Sequence, residues 1–430
     1  MKKSYLLLPI VAFFTLSACG NGASSESSEP ASLIEADIRL NSPHKEFNKT
    51  NTEKSASAYV NSVNALSKDF YKNAFKGDNL VYSPVSISTC YSMLYEGARN
   101  NSREELKNFL HYDDSFDHNA EIKNMLLRNA INDEGKKTYL DIAQSFWVDN
   151  TFADRIYDEY VDILTNQYYA EAFQGSLKSD EMHKALADYI NEKTRDFLHM
   201  TADDFKEYEG VLWLLNTIYF KSSWIYSFSE ESNHTASFTA LSNTKNKVTF
   251  MANEYDSYYL EREDYAIACL PFTHGMNFNI LLPKAGGDYR SVLSNESAIE
   301  DLHNFSLSKE KAVKNIYFEI PQFKFQQAYD LTVILPHMGV NDIFDPYKAD
   351  LTGIGYSDAG LFVSRSKHEA GIEVTNDGAE AAAYTIIEVS EKGIAPQPKE
   401  TIRFVVDHSF AYSITNRDGL TLFAGTVASL

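Results

Sequence analysis

The stretch "KHEAGIEVTNDGAEAAAYTIIEV", Lys367 to Val389, restricts what this chain can fold into more than any other. His368, Ala370, Ile372 and Val374 alternate with Lys367, Glu369, Gly371 and Glu373, the pattern of a strand with one buried face. Asn376-Asp377-Gly378 follows, and an Asp-Gly pair after such a strand is a strong hairpin signal. A solvated loop would continue with Gly, Pro, Asn, Asp or Ser, yet this one turns to alanine. Ala379 to Val389 therefore reads as a returning strand. One face holds Ala379, Ala381, Ala383, Thr385, Ile387 and Val389; the other holds Glu380, Ala382, Tyr384, Ile386, Glu388 and Ser390. The first face is small and uncharged, as a packed layer beneath a sheet demands, since an unpaired buried charge costs several kcal/mol. A permanent hairpin and a strand that enters its sheet later both fit this period.

The surrounding sequence predicts a single domain of mixed structure from about Ser55 to Leu430. "SASAYVNSVNALSKDFYKNAF" has helical apolar spacing, and "SISTCYSMLYEGARNNSREELKNFL" reads as helix, Gly-containing turn, helix. "TYLDIAQSFWVD" is β-rich, and "VLWLLNTIYF" is apolar almost throughout, as in a strand buried on both faces. "AIACLPF" and "FNILLP" pair across "THGM"; "NIYFEIPQFKF" reads as one strand, and Arg417-Asp418-Gly419 as a hairpin turn. Helices crowd the first half and strands the second, which predicts α+β rather than a doubly wound sheet.

Charge narrows the partners. With 39 basic and 60 acidic side chains the chain carries −21, which argues against nucleic acid. Cys90 and Cys269 sit in apolar contexts and read as buried thiols; no spacing suggests a metal or disulfide framework. "HYDDSFDH", His111 to His118, gathers possible metal ligands, but a solvated acidic loop is the stronger reading. No cofactor is implied.

The N-terminus "MKKSYLLLPIVAFFTLSAC" has two lysines, an apolar run and then Leu16-Ser17-Ala18-Cys19. Residues 1–18 read as a secretory leader, and the ending resembles a bacterial lipobox in which Cys19 becomes the lipidated first residue. Residues 19–54, which include "GNGASSESSEPAS", read as a flexible tether. This predicts a lipid-anchored monomer in a bacterial cell envelope, at the outer membrane and exposed at the surface.

From Ser55 to Val427 the ordered segments "NLVYSPVSI", "MLYEGARNNSREEL", "YINEKT", "LLNTIYFKSSWIYSF", "FNILLP", "ADLTGI", "VSRSKHEAGIEV" and "DHSFAYSI" resemble the serpin family. The resemblance implies helices around a large central mixed sheet, further sheets, and an exposed reactive-centre loop that baits a protease. It makes Gly378, Ala379, Glu380, Ala381, Ala382 and Ala383 the hinge of that loop. It also implies a polar shutter of Ser83, Ser86, Asn216 and His368, with Trp224 at the breach where insertion starts. The cleaved loop would enter between "VLWLLNTIYF" and "LFVSRSKHEAGIEV". Three positions depart from the family pattern: Asn376 stands where an acid is usual, Ala379 replaces Thr or Ser, and Ser222 replaces Gly. Losing the acid at 376 is expected to remove an ion pair and loosen the breach.

Counting from Gly378 with the family's spacing puts the reactive bond at Lys392-Gly393, bait for a trypsin-like pocket. Counting back from Phe404 moves it to Ile394 or Ala395, which suits an elastase-like pocket. Pro396 and Pro398 stiffen the segment after the bond. The expected function is suicide-substrate inhibition of serine proteases, with cysteine proteases as a second target class. The alternative is a non-inhibitory member acting as a binding protein. Catalysis is not expected, because no G-x-S-x-G, H-E-x-x-H or P-loop is present.

Overall fold

In the computed structural model, which describes residues 8–18, 57–113, 117–376 and 400–430, two sheets carry the fold. The first contains β1 (Leu8–Ala18), β3 (Ile131–Asp133), β4 (Thr138–Asp149), β5 (Glu171–Gly175), β6 (Leu212–Lys221), β12 (Phe323–Asp330) and β13 (Leu361–Val374). Its order is β12-β13-β1-β6-β4-β3, with β5 parallel to β4. The second contains β2 (Leu80–Tyr82), β7 (His234–Thr239), β8 (Lys245–Glu261), β9 (Tyr265–Pro271), β10 (Asn277–Pro283), β11 (Ala312–Pro321), β14 (Thr401–Val405), β15 (Phe410–Thr415) and β16 (Thr421–Val427). Its order is β14-β11-β8-β9-β10-β15-β16-β2, with β7 on β8.

Local chemistry explains the key elements. Helix Pro84–Gly97 starts on Ser83, whose side chain accepts from the Ser86 backbone N–H at 3.2 Å, and Pro84 opens the first turn, where its missing N–H costs nothing. Every residue of this helix is buried, the mark of a helix covered on all sides. Gly97 is its last residue rather than a turn residue: a Cβ there would lie 2.1 Å from Ile354 Cγ1.

β6 is apolar apart from Asn216, Thr217 and Lys221, and buried up to its last residue, because both of its faces are covered. Helix Pro84–Gly97 contacts one side. On the other, Trp213 and Leu215 pack with Trp147 and with Met182, Leu186 and Ile190 of helix Asp180–Lys193. The strands around "THGM" and the Gly419 turn form as expected, with Gly419 at φ 82°. "NIYFEIPQFKF" does not form one strand. It divides at Gln322, where the chain leaves β11 in the second sheet for β12 in the first, and Gln322 N–H donates to Thr249 O at 2.9 Å.

Candidate functional site

The sequence reading placed an insertion slot between two named strands, and the structure has a strand there. β1 lies between β6 and β13, antiparallel to both. Its register runs from Ile10 opposite Ala370 to Ala18 opposite Leu361, and on the other side from Leu8 opposite Phe220 to Leu16 opposite Leu212. The occupant comes from residues expected to be a leader outside the domain. An apolar, β-prone segment with a ladder on each side suits a central position in a sheet.

Beneath the slot, the four residues assigned to the shutter come together as one hydrogen-bonded chain, with the Ser83–Ser86 cap joining a bond at either end. The Ser83 backbone N–H donates to His368 Nε2 at 3.1 Å, and Ser86 Oγ donates to Asn216 Oδ1 at 2.5 Å. β1 lies between the two ends of this chain, for Ala12 lies opposite both His368 and Asn216. All four polar residues are fully buried. Burial lowers the His368 pKa to about 3, so the ring is neutral and accepts through Nε2. This is a core histidine, as the alternation of β13 predicted, but only half satisfied: Nε2 is bonded while the buried Nδ1 has no partner among the described residues, and Glu369 lies on the opposite face bonded to Gln326 at 2.7 Å. Tyr91, which sequence reasoning did not single out, joins the same layer: its hydroxyl lies 2.8 Å from Ser366 Oγ. Ser88, Thr89 and Ser92 also carry hydroxyls in the run "STCYSML", so nothing local marks Tyr91 out.

At the upper end of β13 lies the region assigned to the breach. Trp224 stacks on Phe272 at 4.2 Å and 11°, and its Nε1–H donates to Thr375 O at 3.1 Å. Asn376 is not loose. Its amide pairs reciprocally with Asn233, donating to Oδ1 at 2.8 Å and accepting from Nδ2 at 2.9 Å. Gln322 Nε2 donates to the same Asn376 oxygen. The ion pair is absent, as expected, and neutral hydrogen bonds stand in its place. Asn233 and Gln322 were missed because their role depends on a contact between three distant segments.

Cys90 and Cys269 are buried thiols outside any disulfide, and burial raises both pKa values, that of Cys269 to about 12. His111 and His118 do not converge: the first lies 3.0 Å from Asp69, the second 2.8 Å from Glu96. Among the described residues no cluster could hold a metal ion. Cys19, the hinge residues Gly378 to Ala383, and the candidate reactive residues Lys392, Gly393, Ile394 and Ala395 lie outside the described residues.

A mixed sheet that holds a strand between two parallel-running neighbours, backed by a buried helix and a polar cluster, defines an α+β protein built around one large sheet. The chain belongs to the serpin family, for residues 61–430 match the model described as "Serpin (serine protease inhibitor)". It is similar to a serpin-like protein of Thermococcus kodakarensis, 29% identical over 374 residues, covering 85% of this chain and 84% of the relative. The leukocyte elastase inhibitor of Sus scrofa is 28% identical over 367 residues, covering 82% and 93%. Among solved structures, Serpin48 of Tenebrio molitor superposes with a TM-score of 0.70 at 25% identity, covering 86% of this chain and 98% of that one. The fold is the serpin fold, and the family consists mostly of inhibitors rather than catalysts.

Proposed function

We propose that this protein is a suicide-substrate inhibitor of serine proteases that traps the acyl-enzyme by inserting its cleaved loop into the first sheet. The observation that carries this reading is the slot between β6 and β13, which holds an eleven-residue strand antiparallel to both. Ala379 to Val389 is also eleven residues long and follows the end of β13 after Asp377-Gly378, a pair whose sequence favours a turn. A chain that turns back at Gly378 runs antiparallel to β13, the direction the slot accepts. Serpin loop insertion is itself a standard instance of strand addition.

In the reaction the protease serine oxygen bonds to the carbonyl carbon of residue 392. The bond to the Gly393 nitrogen breaks, and the protease histidine delivers the serine proton to the leaving amine. Freed at one end, the loop inserts and carries the acylated protease with it. Lys392 suits a trypsin-like pocket. Ile394 or Ala395 suits an elastase-like one, and a relative named as an elastase inhibitor supports keeping that target. Trypsin is expected to form a complex that survives denaturing electrophoresis, and Lys392→Ala to slow its formation severely while sparing an elastase-like enzyme. Equal inhibition of trypsin by parent and variant would show that the bond lies elsewhere.

The same reading gives the leader a consequence. β1 ends at Ala18, so cleavage before Cys19 removes the whole strand and empties the slot. The processed chain, held to the outer membrane through lipidated Cys19, is the inhibitory form. One acyl chain binds a bilayer only marginally, so stable attachment requires several on that cysteine. Cys19→Ala is expected to move the protein from the membrane to the soluble fraction. Retention of the variant in the membrane fraction would mean a different anchor.

A further inference from the structure

Three cations gather at one end of the first sheet, in a chain whose net charge is −21. Lys221 ends β6 and lies directly opposite Tyr139 of β4. Arg195 follows helix Asp180–Lys193, and its Cζ lies 4.0 Å from the centre of the Tyr139 ring and 5.6 Å from that of Tyr219. Lys137 sits in the turn between β3 and β4, shortly before Tyr139. That turn is fixed to the end of β6, for Ser223 Oγ donates to Lys136 O at 2.6 Å. The Lys221 amine registers its neighbours: burial first, then Lys137 and Arg195, hold it down at about 8. Lys137, Tyr139 and Lys221 are half-buried and Arg195 is exposed, so the group is open to solvent on one side.

Holding like charges together is unfavourable, and the backbone adds to the cost. Lys137 and Arg195 have φ of 47° and 51°, a left-handed region that residues other than glycine seldom enter. Residues kept in such conformations concentrate at ligand clamps. Two acids are near in the fold: Asp141, on the same face of β4 and opposite Tyr219, and Asp196, which follows Arg195. With both in place, the neighbours that move Lys221 are still the two cations.

We propose that Lys137, Arg195 and Lys221 form a binding site for a multiply charged oxyanion of the phosphate or sulfate class, seated beside the Tyr139 ring. Arg195 supplies a planar fork for two oxygens, and the lysines act as point charges on either side. The bound anion cancels the repulsion and ties together the β3–β4 turn, the end of β6 and the linker after helix Asp180–Lys193. A ligand held only by the folded chain stabilises it by mass action. The same chemistry comes from a free ion or from the end group of a phosphate ester.

The test uses the full chain with its lysines reductively methylated with carbon-13, a label that keeps their charge. The Lys221 signal is the one absent from Lys221→Arg. Titrations are run in chloride and, at equal ionic strength, in inorganic phosphate, sulfate or glycerol phosphate, and melting temperatures are read in each medium. In chloride Lys221 is expected to titrate well below the other lysines, at about 8. Phosphate and sulfate should move it up by about one pH unit, a tenfold gain in proton affinity. Lys137→Gln and Arg195→Gln should each raise the Lys221 value in chloride, because a like charge is gone, and lose most of the response to oxyanions. Phosphate and sulfate favour burial in any protein, so the thermal readout is the extra stabilisation of the parent over these variants. A response to glycerol phosphate as well assigns esters to the site; a response to inorganic ions alone assigns the free ion. Lys221 titrating like the other lysines in chloride, or identically in chloride and phosphate, would overturn the site. So would a phosphate response retained by both glutamine variants, which would leave the cations a structural role only.

Discussion

Ala381→Arg is expected to turn this inhibitor into a substrate while leaving the uncleaved fold almost unchanged. In the proposed mechanism the alanines of Ala379, Ala381 and Ala383 serve two environments, first an exposed loop and then a central strand. The inserted strand lies over helix Pro84–Gly97, all of whose residues are buried, so the inward face meets a packed layer without water. Burying an arginine there costs several kcal/mol and slows insertion by about a hundredfold or more. The acyl-enzyme then hydrolyses before the protease is distorted. The ratio of inhibitor cleaved to protease trapped should rise accordingly, and the loop-cleaved parent should melt well above the uncleaved one. Insertion also gives a row of backbone groups ladder partners, which is where the gain in heat resistance originates. A variant that traps as efficiently as its parent, or a parent whose melting temperature does not move on cleavage, would favour a non-inhibitory binding protein instead.

Much of the architecture is legible because burial and period agree. Alternation in "KHEAGIEV" identifies β13 and points His368 inward, and the unbroken apolar run of "VLWLLNTIYF" reflects helices on both faces of β6. Alternation ceases where the environment does. Gly371 and Glu373, assigned to the open face, are buried, the second with its carboxylate 3.0 Å from Lys324 Nζ. A charge paired across strands escapes a pattern that counts only apolar residues. The break at Gln322 was likewise invisible, because a strand passing from one sheet to another keeps its β-propensity through the crossing.

The candidate site divides along a similar line. Ser83, Ser86, Asn216 and His368 could be named through family resemblance, and the structure brings them together as one hydrogen-bonded chain. The breach expectation left out what takes the place of the ion pair. Replacing an acid by Asn376 suggested a lost ion pair, but an amide offers a donor and an acceptor where a carboxylate offers only acceptors. Asn233 and Gln322 use both. Such complementarity between residues 143 and 54 positions apart in the chain leaves no local trace. The occupant of the slot was missed because the pattern of a leader and that of a central strand are the same thing, an uninterrupted apolar run.

The second large effect concerns acid. His368 beneath the slot and His303 on helix Glu296–Asn304 are both buried, and burial lowers the pKa of each to about 3. His303 Nε2 lies 3.1 Å from Ser67 Oγ, and His368 Nε2 accepts from the Ser83 N–H; each ring is held neutral. In the unfolded chain both regain an ordinary value near 6.5. The unfolded state therefore binds more protons than the folded one between about pH 6.5 and 3, and stability falls as pH falls through that window. Each histidine contributes a slope of about 1.4 kcal/mol per pH unit once its unfolded form is protonated. His183, also buried, is shifted in the same direction by desolvation. His234 acts oppositely: the Ser232 carbonyl and then Glu319 raise its pKa, so its contribution is present in acid and lost as pH rises through the raised value. It is largely exposed and screened, and cannot offset two fully buried rings. Denaturant midpoints measured from pH 7.5 to 4.5 should thus fall steeply below about 6.5. His303→Gln should be less stable than the parent at pH 7.5 yet lose stability distinctly more slowly on acidification, because one of the two proton-linked sites is gone. His368→Gln should behave likewise and, because it lies beneath the slot, should alter trapping as well. Parallel slopes for parent and both variants would show that the acid response originates in other groups.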